Sequence, residues 1–388
     1  MKTALVNGIV ITPNESYLGG LIAEGETIVS VFRGELKEAC DQVLDVGGRY
    51  IAPGFIDLHV HGGALCDFLD GTSEAYEKAA RLHLEGGTTA MMPTMTTCPL
   101  DVLKKALDVY PEAEGKPGLP MFLGAHLEGP YFALERAGGQ DPGTIRDPDP
   151  AEYLDLLDRY PFIKRWSVAV ERPGALEMGM ELRKRGVLAA IGHTDAMDDD
   201  MRKAADYGYT LLTHFYSCMS TVRRINAYRH AGVIESGYLM DDFAVEIIAD
   251  GSHLPASLLK LIYKSKGSSS VCLVTDALAA AGAPEGYRGK CGPVDFVVEK
   301  GVAWLLDRSA FAGSVATTIR LVRTKVELAE VPLWEAVKMM SLTPARVAGV
   351  DHLMGSLVPG KLANVVVFDG DYQVDAVLVR GKAEVCKL

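Results

Sequence analysis

Cysteine is sparse in this chain and poorly placed for pairing. Seven are scattered at positions 40, 66, 98, 218, 272, 291 and 386, an odd number with no CxxC among them. That excludes a disulfide framework or a zinc ribbon and fits a reduced, intracellular protein. Basic clusters are also missing. Lys and Arg total 39 against 51 Asp and Glu, for a net charge of −12, so no basic face offers itself to nucleic acid. No apolar stretch approaches the ~20 residues of a membrane span. The opening segment MKTALVNGIVITPN is interrupted by Asn7 and Gly8, and no small-residue cleavage site follows. It reads as a strand and not as a signal peptide. Internal repeats and low-complexity segments are lacking too. The expectation is a cytoplasmic protein with neither a nucleic-acid nor a membrane partner.

What the sequence does contain is ample core material: 388 residues, 48% of them hydrophobic. The two ends resemble each other. ALVNGIVIT, GLIAEG and TIVSVFRG near the start, and ANVVVFDG, QVDAVLVRG and KAEVCKL at the close, are short β-branched runs broken by polar residues and Gly. They predict a small β-sandwich domain built from residues 1–52 and 354–388. The middle, residues 53–353, alternates differently. Eight apolar strands, beginning with YIAPGFIDLHVH and ending with SVCLVTDA, alternate with helical stretches such as AEYLDLLDRY and PASLLKLIYKSKG. Eight strand–helix units predict an α/β fold, a closed (β/α)8 barrel. After the eighth strand, GYRGKCGPVDFVVEKGVAWLLDRSAFAGS reads as an inserted hairpin, and WEAVKMMSLTPARVAGV as one further helix.

Polar residues gather at the C-terminal ends of these strands. The first strand ends in His59 and His61, the third in Glu128 and the fifth in His193. The sixth ends in His214, the seventh in His253 and the eighth in Asp276. Barrel strand ends point at one mouth, where barrel enzymes place their chemistry. Side chains two apart on a strand share a face, so His59 and His61 can grip one ion, and Gly62 and Gly63 then let the chain turn away. Neutral imidazoles and carboxylates suit zinc first, with iron, nickel, cobalt or manganese as alternatives. Six candidates (His59, His61, Glu128, His193, His214 and Asp276) exceed the needs of one open site, whereas two ions sharing Glu128 would use them. A single strand-end His is usually a satisfied structural residue. The argument lies in their coincidence at one mouth. Asp276 is the candidate general base and acid, or a plain ligand. His253 is a candidate to orient substrate, or a structural strand-end His.

PGFIDLHVHG resembles the first-strand signature of the amidohydrolase superfamily. HLEGPY (126–131), IGHTDA (191–196), LLTHFYSCM (211–219), ADGSH (249–253), VTDA (274–277) and AGSVAT (312–317) together resemble the N-acetylglucosamine-6-phosphate deacetylase family. The resemblance covers essentially the whole chain. It implies hydrolysis of the N-acetyl group of an amino-sugar 6-phosphate. It also implies Glu128, His193 and His214 as the main metal ligands, with His59 and His61 as a second-metal pair. Asp276 is then the base and acid, and His253 the residue orienting sugar and carbonyl. Arg229 in AYRHAG is matched to a phosphate-binding arginine in a segment that reaches a neighbouring subunit, hence a homodimer. A guanidinium fork suits phosphate oxygens, although a solvated loop arginine would look the same. Two loops depart from the family pattern. Ser217 and Cys218 replace an Asn-Ala pair, and Ala137-Gly138-Gly139-Gln140 stands without the usual lysine; Asn364 replaces a common Asp in the tail. Ser217, Cys218, Gly139 and Gln140 are therefore candidate substrate contacts, with Cys218 also readable as a small packing residue. These departures leave the sugar and its phosphate open. Other readings are a cyclic-amide hydrolase or deaminase, disfavoured because the fourth strand KRWSVAVERPG ends without a lysine to bridge two metals. A metal-bearing but inactive sugar-phosphate sensor is disfavoured by the intact Asp276.

Overall fold

Eight parallel strands carry the mouth of the molecule. In the computed structural model, which describes residues 1–291, 294–308 and 310–388, these are β1 (Phe55–Val60), β2 (Thr88–Met95), β3 (Ala125–Glu128), β4 (Ile163–Val168), β5 (Leu188–Ile191), β6 (Tyr209–Leu212), β7 (Ala244–Ile247) and β8 (Val271–Leu273). Each pairs with the next in chain order. The ring closes just beyond the strand ends: the Asp276 amide donates to the His59 carbonyl at 2.9 Å, and the His61 amide to the Ala277 carbonyl at 2.9 Å. Buried Asp57 reinforces this seam, accepting from the Thr275 amide at 3.2 Å and the Thr275 hydroxyl at 2.5 Å. The strands are near-continuous apolar runs because both faces are covered, one by the barrel interior and one by helices.

A helix follows every strand, from Ser73–Glu85 after β1 to Thr318–Glu327 after β8. Their starts are written locally. The Thr72 hydroxyl caps the amide of Ala75, and the Asp149 carboxylate caps that of Ala151, with Pro150 opening its helix. Apolar faces such as Ala79, Leu107, Leu156 and Leu182 then pack on the barrel in one continuous core.

Strands from both termini form a separate eight-stranded sheet. Lys382–Cys386, Val374–Val379, Val365–Phe368, Tyr50–Pro53, Lys2–Ile11, Ser16–Glu24 and Thr27–Arg33 lie side by side in that order, and Gln42–Asp45 also pairs with Lys2–Ile11. Leu5, Val10, Leu21, Ile51, Val365 and Val367 share a second core cluster. Asn364 is buried there, its side-chain oxygen accepting from the Arg380 amide at 2.8 Å.

Two expectations change. The insertion after β8 is larger than a hairpin: Arg288–Cys291, Val294–Glu299, Val302–Leu305 and Phe311–Ser314 form a four-stranded antiparallel sheet. Gly292, Pro293 and Ser309 of that stretch lie outside the described residues. The segment WEAVKMMSLTPARVAGV is two helices, Leu333–Met340 and Leu342–Val347, because Ser341 leaves helical geometry at φ −135 and ψ −76. No helix of the described residues is long and apolar enough to cross a membrane.

Candidate metal centre at the barrel mouth

Glu128 is the hub. It ends β3 and is 2% exposed. Its Oε1 lies 3.0 Å from His214 Nε2, 3.2 Å from His193 Nε2 and 3.5 Å from His59 Nε2. Its Oε2 lies 3.3 Å from His61 Nε2. The two β1 imidazoles meet at 3.1 Å, as do those of His193 and His214. Asp276 Oδ1 closes the far side, 3.1 Å from His61 Nε2 and 3.4 Å from His59 Nε2. Two triads share the carboxylate: His59–His61–Glu128 and Glu128–His193–His214.

These spacings fit a divalent ion. Ligands about 2.0–2.1 Å from a tetrahedral ion lie roughly 3.3 Å from one another. The ring nitrogens meet in pairs at 3.1 Å around one shared carboxylate, an arrangement that a cation between them relieves. The His193 tautomer agrees: its Nδ1 donates to the Arg136 carbonyl at 2.8 Å, leaving the Nε2 lone pair for the centre. Burial opposes ionisation of Glu128, but the surrounding imidazoles hold its carboxyl well below the usual range. Burial likewise opposes charge on His59, yet Asp276 and Glu128 draw it up to about 9. For Asp276, burial is outweighed by His59 and His61, which keep it ionised.

The backbone is bent to make this convergence. His193, His214 and Asp276 each follow a strand end in the left-handed region, at φ 46, 30 and 47. Non-glycine residues adopt it at roughly 1–2 kcal/mol each. Here it turns the side chains back into the mouth.

The centre floors a cavity of roughly 300 Å³. His253 lines it; Asp250 accepts from His253 Nδ1 at 2.8 Å, so Nε2 faces the cavity. Ser217, Cys218, Gly139 and Gln140, the candidate substrate contacts, line it. Cys218 packs over Gly138, where an added Cβ would come within 2.4 Å of Sγ. Gln140 is committed elsewhere. Its Nε2 donates to Glu128 Oε2 at 2.7 Å, and its Oε1 accepts from the Thr97 amide at 2.9 Å. Arg229 is not among the lining residues. It sits exposed on a hairpin of Arg223–Ile225 and Tyr228–His230.

Sequence reasoning missed several contributors. Asp67 and Thr96 line the cavity from segments read only as connections. Phe311 comes from the inserted sheet and rests on the His253 ring at 5.0 Å. Asp250, three residues before His253 in ADGSH, was visible as a carboxylate within local reach of that ring.

Comparison with known proteins agrees with this geometry. The amidohydrolase family pattern matches residues 50–383. The N-acetylglucosamine-6-phosphate deacetylase of Haemophilus influenzae is 32% identical over 98% of this chain and 99% of its own. The N-acetylgalactosamine-6-phosphate deacetylase of Escherichia coli is 34% identical over 88% of this chain and 89% of its own. Among solved structures, the N-acetylglucosamine-6-phosphate deacetylase of Pasteurella multocida superposes with a TM-score of 0.91 at 29% identity, covering 99% of each chain. A mutant N-acetyl-D-glucosamine-6-phosphate deacetylase of Mycobacterium smegmatis, in complex with N-acetyl-D-glucosamine-6-phosphate, gives 0.89 at 30% identity, again over 99% of both chains. The chain belongs to the N-acetylglucosamine-6-phosphate deacetylase family of amidohydrolases.

Proposed function

We propose that this protein hydrolyses the N-acetyl group of N-acetylglucosamine 6-phosphate, releasing glucosamine 6-phosphate and acetate in amino-sugar catabolism. One observation carries the reading: Asp276, ionised and open to the cavity, stands beside a buried His/Glu cluster spaced for metal. One or two divalent ions, zinc first, would be held by His59, His61, Glu128, His193 and His214, with Asp276 at their edge. When bound, such an ion supplies Lewis acidity to the amide carbonyl and to the attacking water. Asp276 accepts the water's proton as the new carbon–oxygen bond forms. It returns that proton to nitrogen as the carbon–nitrogen bond breaks, so the amine leaves neutral with acetic acid, whose remaining proton passes to solvent to leave acetate. His253, fixed by Asp250, orients the sugar and the acyl carbonyl. Ser217, Cys218 and Gly139 bound the sugar.

Arg229 is proposed to bind phosphate from a neighbouring copy in a cytoplasmic homodimer. Its exposed position on a hairpin beside exposed Val222, Ile225 and Tyr228 supports that reading. The test is release of free amine by metal-replete protein from N-acetylglucosamine 6-phosphate, its unphosphorylated parent and N-acetylgalactosamine 6-phosphate. Turnover confined to the first supports the proposal. Preference for the galactosamine ester would move the substrate toward the Escherichia coli relative. No turnover of any of the three, with metal bound, would refute it.

A further inference from the structure

The barrel layer beneath His59 is polar, where branched aliphatics normally fill such a barrel. Arg165 on β4 and Glu246 on β7 are both 0% exposed. They pair through Nη1–Oε1 at 2.5 Å and Nη2–Oε2 at 2.7 Å. Arg165 also donates to the Leu58 carbonyl at 2.8 Å and to the Thr213 hydroxyl at 3.1 Å. From Thr213 the chain continues to Ser167 (2.9 Å), to His126 Nε2 (2.8 Å), and from His126 Nδ1 to Thr94 (3.1 Å). Thr94 then accepts the Val60 amide at 3.0 Å. The chain of bonds thus begins at the residue before His59 and ends at the residue after it. On the way it passes the residue before His214.

His59 sits inside this loop. Its ring lies edge-on to His126 at 4.7 Å, and its Nε2 faces the metal cluster. An imidazole that ligates through Nε2 carries its proton on Nδ1. That atom is buried and makes no hydrogen bond among the described residues. The carboxylate facing it is Glu246, with Oε2 at 3.8 Å, held in place by Arg165. A buried ion pair is weak reason for stability, because well-packed apolar residues commonly serve as well or better. Its retention here calls for a role at the site above.

We propose that Arg165 and Glu246 are positioning residues for His59, and that they set the affinity of the His59–His61–Glu128 triad for its own ion. The inference rests on the two-ion reading of the centre. Glu246 faces the Nδ1–H with a carboxylate oxygen 3.8 Å away, an electrostatic partner and not a hydrogen-bond acceptor, and Arg165 fixes both that carboxylate and the backbone beside the ligand. The Glu128–His193–His214 triad has its own orienting contact, His193 to the Arg136 carbonyl, and the pair reaches it only through the Thr213 side chain, not through the backbone or a ring nitrogen of a ligand.

Cobalt binding tests this in purified full-length protein. Ions per chain are counted by elemental analysis, and stepwise affinities are read from visible absorption. Two variants are compared with wild type: Glu246→Gln, and the double variant Arg165→Met/Glu246→Leu, which removes both charges at similar volume. The expected result is two ions in wild type. In both variants the first affinity is kept and the second weakened about 10–100-fold, while the double variant melts no lower than wild type. Unchanged second-ion affinity in the folded double variant would overturn the inference alone. A wild type that saturates at one ion would remove the two-ion reading and the inference with it. Failure of both variants to fold would assign the layer to barrel stability and likewise overturn it.

Discussion

Replacing Gln140 by Ala separates two roles for one residue. The sequence places Gln140 in a substrate loop, but its side chain is 8% exposed and faces Glu128. Its amide donates to Glu128 Oε2 at 2.7 Å, while its carbonyl holds the Thr97 amide at 2.9 Å and the Thr96 hydroxyl at 2.5 Å. A hydrogen bond to a charged group contributes about 1.5–3 kcal/mol, which corresponds to roughly 10–150-fold in an equilibrium constant. Glu128 belongs to both triads, so Gln140→Ala weakens both ion affinities by that order, read by competition with a chelator. The Thr97 amide and Thr96 hydroxyl also lose their acceptor, and unfolding free energy falls by about 1–3 kcal/mol. The Michaelis constant for the sugar phosphate, measured at saturating metal, stays near that of wild type. Ion affinities within about twofold of wild type, together with a Michaelis constant raised about tenfold, would place Gln140 on the substrate and refute this reasoning.

Three further perturbations test other parts of the site and the core. Asp276→Asn keeps the ion content and lowers kcat by about 10²–10⁴, read by amine release alongside elemental analysis. Arg229→Ala raises the Michaelis constant for the phosphorylated sugar by about 10-fold or more and leaves the unphosphorylated sugar unaffected, as expected for a lost charge-assisted contact. Lys325 is fully buried and, among the described residues, donates only to the Leu259 carbonyl, at 3.1 Å, and burial lowers its amine from 10.5 to about 8. The unfolded chain holds that proton more tightly, so the penalty is complete below pH 8 and disappears as pH rises toward 10.5. Lys325→Met therefore stabilises the protein by about 1–3 kcal/mol at pH 7 in denaturant unfolding, and the gain vanishes near pH 10.5.

The parts of the fold legible in the sequence are those whose signal is local. Each barrel strand is a short apolar run closed by a polar residue, and each helix carries its own periodicity, so the strand–helix count survives without tertiary information. The inserted sheet was under-read because its four strands, Arg288–Cys291 to Phe311–Ser314, are short and form a sheet of their own apart from the strand–helix alternation. The division of the last helical stretch at Ser341 was marked in the sequence by Pro344, which falls in the first turn of the second helix, where its missing N–H costs no hydrogen bond. Strand β3 is preceded by a separate pair, Met121–Phe122, set off by Gly124 at φ 116, a backbone only glycine adopts freely.

The candidate site divides along a similar line. His59, His61, Glu128, His193, His214 and Asp276 were legible because each stands at a strand end, where topology alone brings them to one mouth. Arg165 was not. In KRWSVAVERPG it reads as the outward charge of a half-exposed strand beside Lys164, yet Lys164 is exposed and Arg165 is fully buried. Its charge is met by a carboxylate 81 residues away, and no periodicity reports such a partner. Gln140 shows the same limit from the other side: its loop lines the cavity, but the direction of its amide depends on Glu128, which the fold brings to it. Candidate ion ligands announce themselves by type and position. Residues that hold those ligands in place are defined by contacts between distant strands, so their roles become visible only once the barrel is closed.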